Sequence, residues 1–111
     1  MEFKQIQKGN AVILTVSGRM DAVTAPQFEE QCNALIDGGA RHICVQMAQV
    51  EYMSSAGLRS VLLIGKKLKG LGGGLAFYDL SGMVSEVFKM SGFSSIFPVG
   101  ENQDDALAKL G

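Results

Sequence analysis

Apolar residues change their spacing several times along the chain, and each change marks an element. Phe3 to Lys8 and Ala11 to Ser17 have the composition of two strands, and the Gly9-Asn10 pair between them predicts a hairpin. The spacing then lengthens to Phe28, Cys32, Leu35 and Ile36, the inner face of a helix that Gly38-Gly39 ends. At its start Thr24 and Gln27 have capping-box spacing, Pro26 sits in the first turn, and Glu29 and Glu30 favour the positive dipole end. Ile43, Val45 and Met47 alternate with Cys44 apolar between them, which predicts a central strand covered on both faces. Leu58, Val61, Leu62, Gly65 and Leu68 return to the i, i+3, i+4, i+7 spacing of a helix, from about Ser54 to Leu71. Leu75 to Tyr78 is another strand, and Ser81 caps a helix carrying Val84, Val87 and Phe88 and closed by Gly92. Ser95 to Val99 is expected as a short last strand, with Pro98 marking an edge or an end. Asn102 to Leu110 is a final helix with Asp104 and Asp105 in its first turn.

Strands alternating with helices after an opening hairpin predict an α/β fold, its sheet largely parallel and its crossovers right-handed. At 111 residues, 47% of them apolar, the chain has material for one domain, residues 1–111, around one core.

Composition excludes more functions than it suggests. A formal charge of −1 gives no electrostatic case for nucleic acid or an anionic membrane surface. No apolar run approaches the ~20 residues that span a bilayer, and Met1-Glu2-Phe3-Lys4-Gln5 lacks the order of a signal peptide. A cytoplasmic protein is expected. Cys32 and Cys44 fall on a helix stripe and inside a strand, without Cys-x-x-Cys spacing, and are expected as buried thiols. With His42 the single histidine, neither a metal cluster nor a Ser/His/Asp triad assembles easily. The glycines at 70 and 72–74 lack the Gly-Lys-Ser/Thr ending of a phosphate loop and lead into a strand, so they are expected as a turn. No cofactor and no catalytic group is implied. Lys66, Lys67 and Lys69 fall in the last turn of their helix, where they offset the negative dipole end.

The chemistry that stands out is at Ser54-Ser55. These residues occupy the N-cap or first-turn region of the central helix, where backbone N–H groups lack an internal partner. A hydroxyl there can cap the helix. A phosphate there would face free amides and the positive dipole end. Asp21 and Asp79 could each approach this helix if all lie at strand C-terminal ends, where open sheets place their sites.

The run from His42 to Met47, followed by Val50-Glu51-Tyr52-Met53-Ser54-Ser55-Ala56-Gly57-Leu58, resembles the signature of the STAS domain, the family of bacterial anti-sigma factor antagonists. Gly18-Arg19-Met20-Asp21, the strand led by Gly72-Gly73-Gly74, and Val87 to Phe93 resemble three further parts of the family pattern, in order. The likeness runs from about Met1 to Leu110. It implies a STAS-like mixed β-sheet, with an antiparallel opening hairpin, then largely parallel strands, and helices packed mainly on one side.

The resemblance also implies a non-enzymatic function. Ser55 aligns with the family's phosphoacceptor, and Asp21 with its loop aspartate. Ser54, Ala56, Gly57 and Leu58 complete the partner-binding or site-organising segment. Two positions depart from the pattern: Ser54 stands where Asp is common, and Gln46 where the strand often carries Asp or Asn. The implied role is an antagonist that, unphosphorylated, binds an anti-sigma factor with GHKL-type serine kinase activity and so releases a sigma factor. A separate protein phosphatase restores the active form. The alternative is a STAS subunit that docks to an ABC-type or anion transporter without a phosphoswitch. Oligomeric state is not legible in the chain.

Overall fold

The computed structural model describes residues 1–110. Five strands form one sheet in the order β1-β2-β3-β4-β5: Glu2–Lys8, Ala11–Met20, His42–Met53, Gly74–Tyr78 and Val99–Gly100. The first pair is antiparallel and every later pair parallel. Helices α1 (Ala25–Asp37), α2 (Ser55–Gly70) and α3 (Gly82–Met90), with the short α4 (Phe93–Ile96), make the connections, and α5 (Gln103–Leu110) closes the described chain.

Alternation along the strands divides the molecule into two layers. Leu14, Val16, Ile43, Val45, Leu75 and Phe77 point to one face, where α1, α2 and α3 bury Phe28, Cys32, Val61, Leu68, Val84 and Phe88 against them. Ile13, Cys44, Ala76 and Tyr78 point to the other, where Ala106 of α5 covers them. Burial on both faces is why the stretch from Ile43 to Val45 is apolar at every position. Helices therefore lie mainly on one side, as in the STAS-like sheet expected from the sequence.

Four local expectations are corrected. The capping box at Thr24 does not form: Gln27 N–H donates to the Thr24 carbonyl, because the Thr24 hydroxyl is already bonded to the Arg19 carbonyl and the Asp21 N–H. Glu29 and Glu30 lie beyond the first turn of α1, which holds no acidic residue, so they do not serve its dipole. Instead Glu29 accepts a hydrogen bond from Ser60, a 2% exposed hydroxyl on α2. The segment expected as a strand from Ser95 to Val99 is a helical turn through Ile96 followed by the short β5. Gly92, at φ +79°, turns the chain into it, and Phe93 and Phe97, four residues apart, meet the aromatic rings of Phe88 and Phe77 edge to face. Finally, β2 and β3 run on well past the expected ends, to Met20 and Met53, and this extension carries the site.

Candidate functional site

β4 stops opposite Gln46, while β2 and β3 continue as a pair, Arg19 beside Tyr52 and Met20 beside Met53. The chain enters α2 directly from this projecting end. Ser54 N–H donates to the Met20 carbonyl at 2.9 Å, fastening the helix entrance to the end of β2. Ser54 is extended (φ −89°, ψ 174°), and its Oγ accepts from Gly57 N–H at 3.2 Å. It is the N-cap, and it satisfies one of the donors that a helix start leaves open. Ser55 is the first helical residue, and it is exposed. Among the described residues the N–H groups of Ser55 and Ala56 have no hydrogen-bond partner.

Gly57 makes the close approach possible. A Cβ there would stand 2.8 Å from the Met53 sulfur, 2.9 Å from Met20 Cγ and 3.1 Å from the Met20 carbonyl oxygen. With hydrogen in its place, the first turn of α2 lies down on the paired strand ends. Half-buried Ala56 and Leu58 pack onto the core beside it. Their burial faces Ser55 outward.

Asp21 follows Met20 and so opens the loop alongside this turn. Its Oδ1 accepts from Val23 N–H at 3.0 Å and Thr24 N–H at 3.1 Å, an Asx-type turn leading to α1. The Thr24 N–H above all, with help from Val23 and Arg19, holds the carboxyl below its ordinary 3.8, against the opposing effect of desolvation. Asp21 is thus an anion at neutral pH with a local structural task. Three neighbours of the site were not anticipated from sequence. The Arg19 guanidinium sits 4.4 Å from the centroid of the Tyr52 ring, a cation–π contact on the rim. Val23, at the loop tip, is 78% exposed, an uncovered apolar side chain. Arg59 is exposed one turn beyond Ser55, at the i+4 position on the same helix face. Arg19 lies inside the Gly18–Asp21 segment and could have been noticed there; the pairing with Tyr52 depends on register.

Two other positions are elsewhere. Asp79 follows β4, which ends short of the projecting strands, and its φ of +57° makes it a left-handed turn residue. It does not join Asp21 at the serines. Gln46 lies in the middle of β3, and its Oε1 accepts from Ala48 N–H at 3.2 Å, beside the register shift between β2 and β3. Its polar group is committed to the strand. Among the described residues no three His, Cys, Asp or Glu side chains converge as a metal site.

At one end of this α/β sheet the entrance of α2 carries an exposed hydroxyl and two unpartnered amides, with an exposed apolar side chain at the tip of the neighbouring loop. The chain belongs to the STAS domain family, whose pattern covers residues 3–106. It is 39% identical over 97 residues, 87% of its length and 84% of the relative's, to BtrV of Bordetella bronchiseptica, which is provisionally named an anti-sigma factor antagonist. The anti-sigma F factor antagonist of Paenibacillus polymyxa is 29% identical over 100 residues, covering 89% of this chain and 86% of that one. The fold matches the crystal structure of an anti-sigma factor antagonist from Mycobacterium paratuberculosis with a TM-score of 0.88 at 24% identity, covering 98% of this chain and 92% of that one. It also matches the antagonist SpoIIAA in its unphosphorylated form, with a TM-score of 0.80 at 21% identity over 97% and 95% of the two chains.

Proposed function

We propose that the chain is an anti-sigma factor antagonist whose partner binding is switched by phosphorylation of Ser55. The observation that carries the proposal is the division of labour between the two serines. Ser54 is occupied as the cap, while Ser55 presents an exposed hydroxyl over unpartnered amides. Its supporting context is the set of relatives named as antagonists, together with a SpoIIAA structure described as phosphorylated.

A phosphoserine adds roughly −1.5 to −2 charges at pH 7. At the first position of α2 that charge meets the positive dipole end and the amides of Ser55 and Ala56, with the Arg59 guanidinium one turn away. The fold tolerates it. A partner packed over Val23, Ser55 and Leu58 does not, because the dianion must be desolvated against that partner. The cost is several kcal/mol in order of magnitude, and each ~1.4 kcal/mol is tenfold in affinity. In this account the unphosphorylated chain binds an anti-sigma factor that is also a GHKL-type serine kinase. The kinase supplies ATP and ends the complex by modifying Ser55, and a phosphatase reverses the modification. Asp21 fixes the loop that the kinase and the partner approach.

Incubation with a cognate serine kinase and ATP tests the acceptor. One phosphate mapped by mass spectrometry to Ser55, and absent from Ser55→Ala, is the expected outcome. Phosphate on Ser54, or none at all, would overturn it.

A further inference from the structure

Along α2, about ten residues beyond Ser55 and therefore roughly 15 Å away at 1.5 Å per residue, lies a cavity of about 440 Å³ that the binding of a protein at the serines does not use. Its apolar lining includes Leu62, Leu75, Ile96 and Phe97, with Gly65 of α2 beside them. At Gly65 the helix carries no side chain, and the Phe97 ring takes that space: a Cβ there would collide with Phe97 Cε1 and Cζ. Ile96 is 58% exposed, an apolar side chain over the cavity mouth with nothing covering it.

The rim carries charge of one sign. Lys66 and Lys69, one helical turn apart, border the cavity and are exposed. Neither makes an ion pair among the described residues, whereas Lys67 on the neighbouring face of α2 bonds Asn33 at 2.7 Å. Quenching the C-terminal dipole of α2 accounts for basic residues in its last turn. It does not account for two of them bordering an apolar hollow of the size usual for small ligands.

We infer that this cavity binds an amphiphilic carboxylate: an apolar chain of medium length seated on Leu62, Leu75, Ile96 and Phe97, with its carboxylate between the Lys66 and Lys69 ammonium groups. Lysine ammoniums suit this role as point charges on flexible stems that reach a headgroup at the surface. The site is separate from the phosphorylation proposed at Ser55 and stands whether or not that proposal holds.

Decanoate is the probe, with decanol as its uncharged counterpart, followed by amide chemical-shift mapping on the intact ¹⁵N-labelled protein. Decanoate should saturate with its largest shifts at Leu62, Gly65, Leu75, Ile96 and Phe97, and decanol should bind at least about tenfold more weakly. The exposed pair Lys66→Glu, Lys69→Glu should keep the wild-type spectrum elsewhere and lose decanoate affinity by at least the same factor. Ser55→Ala should bind decanoate as wild type does. Shifts scattered over the surface, equal affinity for decanol, an unaffected lysine double variant, or no saturation at millimolar decanoate would each overturn the inference.

Discussion

Ser54 and Ser55 are neighbours in sequence with opposite environments: one hydroxyl accepts from Gly57 N–H, the other faces solvent. Ser54→Ala removes the cap and should lower stability by about 1 kcal/mol. Ser55→Ala removes an exposed group and should stay within about 0.5 kcal/mol of wild type. Chemical denaturation of the two variants checks the pair, and equal losses would contradict the assignment of the cap. From sequence the serines could be placed only in the first turn, because which of them caps depends on where β3 ends. Asp21 is a second residue with two claims on it. Its hydrogen bonds to Val23 and Thr24 are structural, and its place beside α2 suits the proposed switch. Asp21→Asn keeps the shape and removes the charge, so it should reduce phosphorylation or partner binding with little loss of stability. A variant that loses ~1 kcal/mol or more but is phosphorylated and bound normally would show that Asp21 serves the turn alone. Because its carboxyl titrates below the ordinary value, the loop's stabilising contribution is complete above that value and fades as pH falls through the lowered one.

Elements were legible wherever a single periodicity governs them. The α2 stripe, the alternation of β3 and the glycine turn before β4 all follow from local spacing, and the parallel pairing after the hairpin follows from their alternation with helices. The exceptions have tertiary causes. Phe93 to Ile96 is helical because Phe93 and Phe97 both turn into the cluster around Phe77 and Phe88, and nothing local to Ser95–Val99 announces that cluster. Asp79 could not be separated from Asp21 until strand register showed β4 ending early. The position of α2 on β2 and β3 depends on Gly57. Gly57→Val would drive its side chain into the Met20 carbonyl, as well as the more yielding methionine side chains. Overpacking of this kind costs about 1–3 kcal/mol, and it should also displace the Ser54–Met20 contact. Thermal unfolding, with amide shifts at Ser54 and Ser55, reads both effects; an unchanged melting temperature would contradict the close approach.

Across the whole molecule, the two-layer core isolates the thiols from solvent, and the proposed phosphoswitch lies outside it at one end of the sheet. Cys32 and Cys44 are fully buried, and burial pushes their thiols up to about 12 and about 11. Both should resist iodoacetamide at pH 8 in the native protein and react together on unfolding, since the thiolate is the reactive form. Labelling of either cysteine under native conditions would show that its layer opens. The same rigid core underlies the proposed switch: charge added at Ser55 changes what can dock while the fold stays as it is. The most direct test is a pair of binding isotherms for the anti-sigma kinase, one with the unmodified chain and one with the chain carrying a single phosphate on Ser55, each with its thermal unfolding curve. Phosphorylation should weaken binding by about a hundredfold or more, ~2.8 kcal/mol, with the melting temperature unchanged or raised. Equal affinities, or lost affinity that tracks a collapse in stability, would contradict a switch exerted at the partner surface.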